Sequence, residues 1–262
     1  MGSVLVCYSG GVDSALVLAV AHEVLGSRAV GMTAVSPSLA PFEKEAAVAV
    51  AQQIGARHEL VDSHEIERPG YVANATDRCF HCKSELYDIA EQKKLAWSLA
   101  HVVNGTNLDD LGDHRPGLDA AKNAGVRSVL VELKFNKEDV RRCAQELGLA
   151  IWDKPASACL SSRIPYGTEV TRERLAQIGG LEAEVRRLGL RQVRVRWHEA
   201  GIKGAMARVE VAKQELPRAF EVRDAIVEAG KRFGFTFVTL DLQGYRMGSH
   251  NEVVVGRSLR VV

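Results

Sequence analysis

The chain has 262 residues, 46% hydrophobic and 26% charged, with a formal net charge of +1. This composition suits a soluble globular protein of one large or two small domains, and a near-neutral balance gives no global electrostatic case for nucleic acid or an anionic membrane. No apolar run approaches the roughly 20 residues of a bilayer-spanning helix, and "MGSVLVCYSGG" shows neither a charged leader nor a small-residue cleavage site, so no signal peptide is expected.

In chain order, "SVLVCY" is a continuous apolar run, as in a strand buried on both faces. "SALVLAVAHEVLG" reads as a helix ending at Gly26, "AVGMTAVS" as a second strand, and "PFEKEAAVAVAQQIG" as a helix with proline near its start. "RHELVDS", "KSELYDIAEQKKLAWSLA" and "HVVNGT" continue as strand, helix, strand; "VRSVLVELKF" and "NKEDVRRCAQELGL" add one strand and one helix. This alternation predicts an α/β fold, a doubly wound parallel sheet whose ligands bind beyond the carboxyl ends of the strands. After the small and polar stretch "DKPASACLSSRIPYGTEV" the pattern changes to helix, strand, strand, helix, strand, which predicts a smaller α+β C-terminal domain. The expected division is residues 1–155 for nucleotide binding, 156–170 as a junction carrying a cysteine, and 171–262 for substrate binding and oligomerisation.

"SGGVDS", Ser9 to Ser14, falls between the first strand and first helix, where phosphate sites belong. Gly10 and Gly11 let the backbone turn tightly and present amides, and Ser9 and Ser14 add hydroxyl donors. Asp13 is expected to cap the helix or to orient a magnesium-bound phosphate. The loop has neither the lysine of a Walker A sequence nor G-x-G-x-x-G spacing, so neither the kinase/GTPase nor the dinucleotide reading fits. Asn107, Asp109 and Asp110, beyond the fourth strand, are candidates for magnesium or ribose contacts.

"SGGVDS" resembles the pyrophosphate (PP) loop of the ATP pyrophosphatase superfamily, which splits ATP into AMP and pyrophosphate to adenylate a substrate. Two stretches, "NGTNLDDLGDHRPGLDAAKNAGVRSVLVELKFNKEDVRRCAQELGL" and "DKPASACLSSRIPYGTEVT", together with "LGLRQVRVRW" and "FTFVTLDLQGYR", resemble one family over nearly the whole chain. This is LarE, the ATP-dependent sulfur transferase of nickel-pincer nucleotide cofactor synthesis. The resemblance implies ATP with Mg2+, and a pyridinium mononucleotide whose two ring carboxylates are adenylated and then thiolated. It implies sulfide or a sulfur donor protein as a partner and a homo-oligomer, while the near-neutral charge and the lack of a spanning apolar run predict no nucleic acid or membrane partner. It further implies that Cys159 is the sulfur donor, its Cα–S bond breaking to leave dehydroalanine. Lys154 and Arg163 are nearby cations that would favour its thiolate. By the same resemblance Arg194 and Arg196, alternating on one strand face, grip the substrate 5′-phosphate, with a solvated strand face as the alternative. Glu182 is a candidate for metal binding or substrate orientation, and Ser162 and Arg163 for phosphate contact.

The five cysteines are sparse and odd in number, which fits a reducing compartment and a cytoplasmic protein. Cys7 and Cys143 read as small buried hydrophobes. "DRCFHCK" departs from the single-cysteine pattern of the resemblance. Cys79 and Cys82, read as a loop just before a helix, could form a redox pair, hold zinc together with Cys159 and a histidine such as His81, stay unligated, or join Cys159 as cluster ligands. Three thiolates suit a [4Fe-4S] cluster with one open iron, an arrangement found in a subset of LarE-like proteins. That is the expectation here, with Cys159 then a ligand that survives turnover. The rival readings are a tRNA thiolase, which would bring a basic surface, an ammonia-transferring synthetase, and a nucleotide-gated metal sensor. Trp97, Trp152 and Trp197 are expected in core or interface.

Overall fold

The computed structural model describes residues 1–112, 116–155, 157–202 and 204–246; the end of the expected second domain, 247–262, and residue 156 of the expected junction lie outside the described residues. The chain divides into two compact units, Met1–Ala158 and Cys159–Val262.

The first unit opens with β1 (Val4–Cys7) and α1 (Val12–Leu25), followed by β2 (Ala29–Val35), α2 (Pro41–Ile54) and β3 (Arg57–Asp62). Next come α3 (Pro69–Val72), α4 (Arg78–Ala96), β4 (His101–Asn104), α5 (Pro116–Asn123), β5 (Arg127–Ser128), α6 (Val129–Glu132) and α7 (Lys137–Glu146). The strands form one parallel sheet in the order β3-β2-β1-β4-β5. Every residue of β1 is buried, and its side chains alternate between two cores. Val4, Val6 and Tyr8 join Leu16, Leu18, Val50 and Val140 on one face; Leu5 and Cys7 join Met32, Tyr87 and Ala120 on the other. Helices therefore cover both faces, which is why the strand reads as unbroken apolar sequence.

Three expected elements differ. "VRSVLVELKF" contributes only Arg127–Ser128 to the sheet edge, and the chain then turns into α6. A helical turn carries Leu130 into the first core with Val129 and Phe135 packed beside it, which an edge strand exposed on one side would not do. Helix α4 starts at Arg78, so Cys79 and Cys82 lie on its first turns and not in a preceding loop. Its N-cap is Asp77, a residue type favoured there, though the side chain makes no capping bond.

In the second unit α8 (Arg172–Arg187) follows an N-cap at Thr171, whose side chain accepts from Arg174 N–H. Then come β6 (Val193–Ala200), β7 (Gly204–Val211), α9 (Leu216–Glu221), α10 (Arg223–Arg232) and β8 (Phe237–Leu240). The helix expected over "PRAFEVRDAIVEAGKRFG" is thus two, broken at Val222. The sheet order is β6-β7-β8, antiparallel and then parallel. Val193, Val195 and Trp197 are buried on one side of β6, where Trp197 donates to Gln177 of α8. Arg194 and Arg196 take the other side. Trp97 is partly buried against the second core of the first unit, and Trp152 is 38% exposed.

Candidate functional site

The SGGVDS loop lies between β1 and α1, and the NGTN segment follows β4, on either side of the point where the sheet order reverses. Open α/β sheets bind ligands at such a point. Gly10 has φ +73, and a Cβ there would lie 2.7 Å from Ala47 Cβ, so only glycine fits. Gly105 packs the β4 loop against α1 so closely that a Cβ would approach Ser14 N to 2.6 Å. Ser14 Oγ accepts from Ser9 N at 3.1 Å and lies 3.1 Å from both Ser9 Oγ and Gly11 O, so the loop holds its own shape. Ser9 is exposed, and the first N–H groups of α1 point out of its N-terminus, the arrangement an anion needs.

Asp13 does not cap the helix: Gly11 is the N-cap, and no side chain bonds there. The carboxylate instead accepts from Asn107 Nδ2 at 3.0 Å and from Lys137 Nζ at 2.5 Å. Asn107 is buried, 2% exposed. Asp109 and Asp110 serve the turn itself. Asp110 accepts from Asn107 N at 3.1 Å, and Asp109 from Lys137 N at 2.9 Å. A second cation, Lys154, donates to Gly10 O at 3.1 Å and to Glu43 at 2.7 Å.

Lys137 was not singled out by sequence reasoning, and Lys154 was considered only for its nearness to Cys159. The absence of a Walker lysine was the available signal, since it asks where the compensating charge comes from. Lys137 is placed by the capping box of α7, in which Asn136 and Asp139 bond each other's backbone.

Cys79 and Cys82 stand three residues apart on α4, Cys79 exposed and Cys82 partly so, and neither is in a disulfide. That spacing puts them on one helix face. The Lys83 ammonium interacts electrostatically with both and with Cys7. His81 Nε2 lies 3.3 Å from Asp77, and a Cβ on Gly70 would come within 2.3 Å of it, so the imidazole is held at Asp77 and Gly70. Burial pushes the Cys7 thiol up to about 12, against the field of Lys83, as suits an inert strand residue. Cys143 packs beside the first core. Among the described residues, no group of three or more His, Cys, Asp or Glu is placed to hold a metal ion. The α4 pair fits two of the three thiolates that a cluster would need, being outside any disulfide, on one helix face and accessible.

In the second unit the exposed Cys159 precedes a 3-10 turn, Leu160–Arg163. Its carbonyl accepts from Ser162 Oγ at 2.8 Å and from Arg163 Nη1 at 2.9 Å. Arg163 is 1% exposed, and its Nε lies 2.9 Å from Glu182, itself fully buried. Glu182 also accepts from Val195 N at 3.0 Å. Arg196 reaches the Ser162 carbonyl at 3.3 Å and pairs with buried Glu210 at 2.8 Å. The backbone of the cysteine turn is therefore clamped while the cysteine itself stays open.

Arg194 and Arg196 are 7% and 6% exposed, so the solvated-face alternative does not hold. Arg194 makes no ion pair among the described residues; its Nη1 donates to Val193 O at 2.8 Å and its guanidinium lies 5.4 Å from the Tyr245 ring. Burial, then the like charge of Arg163, holds its pKa below the ordinary arginine value. Glu182 also acts on it electrostatically but is paired with Arg163, so Arg194 remains a buried cation without an ion pair of its own among the described residues, which attracts an anion.

The family model for NAD synthase matches residues 1–91. An uncharacterized protein of Synechocystis sp. is 49% identical over 95% of this chain and 92% of its own length. The pyridinium-3,5-bisthiocarboxylic acid mononucleotide synthase of Lactiplantibacillus plantarum is 35% identical over 98% of this chain and 91% of its own length. A tRNA-specific 2-thiouridylase, MnmA of Rickettsia felis, is 27% identical over 59% of this chain and 52% of its own length. With the PP-loop at the switch point of a parallel sheet and a likeness of this extent to the Lactiplantibacillus synthase, the chain belongs to the LarE family of ATP-dependent enzymes.

Proposed function

We propose that the protein adenylates the carboxylates of a pyridinium-3,5-dicarboxylate mononucleotide and replaces oxygen with sulfur, in nickel-pincer cofactor synthesis. The observation that carries this reading is the PP-loop with Lys137 and Asn107 converging on Asp13, in a chain alike over its length to a synthase of that product. ATP lies on Ser9, Gly10, Gly11 and Ser14, with Asp13 and Asn107 on the side of Mg2+, which lowers the charge of the polyphosphate when bound. A substrate carboxylate oxygen attacks the α-phosphorus and pyrophosphate leaves. Sulfur then attacks the acyl carbon and AMP leaves with the C–O electron pair. Residues 1–155 handle ATP, 156–170 carry Cys159 and residues 171–262 hold the substrate, its phosphate at Arg194 and Arg196 beside Ser162. Glu182 holds Arg163, and through it the Cys159 turn.

Cys79, Cys82 and Cys159 are the proposed ligands of a [4Fe-4S] cluster, which would supply an open iron for hydrosulfide. Accessible thiols on one face of α4, in no disulfide, support this. Sulfide or a sulfur donor protein is the source, and the enzyme works as a cytoplasmic homo-oligomer. No helix among the described residues is long and apolar enough to cross a membrane.

The test is incubation with MgATP, the dicarboxylate mononucleotide and sulfide, reading AMP, pyrophosphate and thiocarboxylate mass. AMP and thiocarboxylate together are expected; no AMP with this acceptor but thiolation of tRNA overturns the reading. Iron and acid-labile sulfide after anaerobic purification test the ligands. About four irons per chain, the number that defines the cluster, lost in Cys159→Ala, are expected. A metal-free protein that turns over once and leaves dehydroalanine at Cys159 makes that residue the consumed donor.

A further inference from the structure

Glu43, the third residue of α2, belongs to none of the motifs above, yet its side chain is only 12% exposed. Its two oxygens are divided between two partners on one short segment. Oε2 accepts from Lys154 Nζ at 2.7 Å and Oε1 from Ser157 Oγ at 2.6 Å. Lys154 simultaneously donates to the carbonyl of Gly10, in the nucleotide loop, at 3.1 Å. Residues 154, 155 and 157 are in neither helix nor strand, so beyond the backbone bond from Lys154 N to Ile151 O at 2.9 Å, side-chain anchors hold the chain there. A carboxylate shared between a cation and a hydroxyl forms charge-assisted bonds, stronger than neutral ones. The result is a relay from the PP-loop through Lys154 and Glu43 to Ser157. Cys159 comes two residues later, its Cα within about 7 Å of that of Ser157 by chain reach alone.

We propose that Glu43 is a positioning residue that ties the segment leading to Cys159 to the nucleotide loop, so that sulfur transfer follows adenylation before water intervenes. This rests on the function proposed above. The acyl adenylate has two fates. Sulfur attacks the acyl carbon and expels AMP, giving thiocarboxylate. Alternatively, water attacks the same carbon, the carboxylate is regenerated, and ATP has only been hydrolysed to AMP and pyrophosphate. Adenylation needs the loop; partition of the adenylate needs the segment held in place, and loss of positioning of reacting groups carries a large rate cost.

The experiment compares the full-length wild type with Glu43→Gln, Ser157→Ala and Ser157→Thr, using MgATP, the dicarboxylate mononucleotide and sulfide. Glu43→Gln and Ser157→Ala are expected to form AMP within a few-fold of wild type while thiocarboxylate per AMP falls about tenfold. Ser157→Thr, which keeps the hydroxyl, is expected to retain the wild-type ratio. An unchanged ratio in Glu43→Gln, or AMP and thiocarboxylate falling in parallel, overturns the proposal, because a merely structural role lowers both together. Hydrogen exchange of peptides spanning 150–160, measured with MgATP alone, gives a reading independent of the acceptor. Faster exchange in Glu43→Gln is expected, and unchanged exchange overturns the proposal. If wild type makes no AMP with this acceptor, the proposed reaction fails while the exchange measurement still decides the role of Glu43.

Discussion

Arg163 Nε lies 2.9 Å from Glu182 Oε1, with the two side chains 2% and 0% exposed, directly behind the turn that presents Cys159. Removing one partner of a buried pair leaves an uncompensated charge, at a cost of about 3–5 kcal/mol. Glu182→Ala should therefore lower the urea midpoint strongly. The double replacement Arg163→Met with Glu182→Leu should recover much of the loss, because an apolar pair removes both desolvation penalties. A double variant as unstable as the single one would show that the backbone bonds of Arg163, and not the ion pair, carry the effect.

Lys137 stands 2.5 Å from Asp13 and brings a positive charge beside a loop, SGGVDS, that has none of its own. Lys137→Gln should weaken ATP and pyrophosphate binding about 10- to 100-fold, the worth of one charge-assisted hydrogen bond, and leave AMP binding nearly unchanged. Calorimetric titration with each nucleotide checks this. Equal weakening for AMP would mean that the lysine braces the loop and does not meet the polyphosphate.

The two loop glycines should behave differently. Gly10 needs φ +73 and has Ala47 Cβ 2.7 Å from where its own Cβ would sit. Gly11 has φ −85, and its added Cβ would meet only Ser9 Oγ, at 3.4 Å. Gly10→Ala should cost at least about 1–2 kcal/mol from the left-handed conformation alone, plus the clash. Gly11→Ala should melt close to wild type, and thermal melts of both variants are the check.

His58 sits in a half-buried place, where burial holds its pKa below 6.5 against the opposing field of Glu59. Its Nε2 lies 2.8 Å from Thr33 Oγ1, whose own proton goes to Tyr8 O at 2.7 Å, so Nε2 is the donor. The folded state prefers the neutral ring, and the unfolded chain takes up the proton first as pH falls. This contribution is complete above pH 6.5 and is lost as pH drops from 6.5 towards the lower folded value. Melting temperatures at about pH 7.5 and 5.5 should therefore differ less in His58→Gln than in wild type. An identical difference would place the acid sensitivity elsewhere.

Legibility differed by residue. The loop Ser9 to Ser14 and the burial of Cys7 were readable because apolar runs and glycine turns act over a few residues. The helical placement of Cys79 and Cys82 was not, because Asp77 follows Asn74 and Thr76, residues equally suited to a cap or a turn, so none of them alone marks where α4 begins. "VRSVLVELKF" misled because β-branched residues suit a strand equally well, and only the core around Leu130 decided for a helix. Alternation put Arg194 and Arg196 on one face of β6, but their burial came from Tyr245, the Cys159 turn and Glu210.

The sequence by itself determined the parallel α/β sheet, the nucleotide loop at its head and the family, since periodicity, turn chemistry and motif spacing are local and survive in one dimension. Only the tertiary structure decided which charges meet. Lys137 and Asp13 are 124 residues apart, and Lys154 and Glu43 are 111. A charge has no periodic signature of its partner, so these pairs become definite only when packing of the apolar faces brings the segments together and removes water from between them.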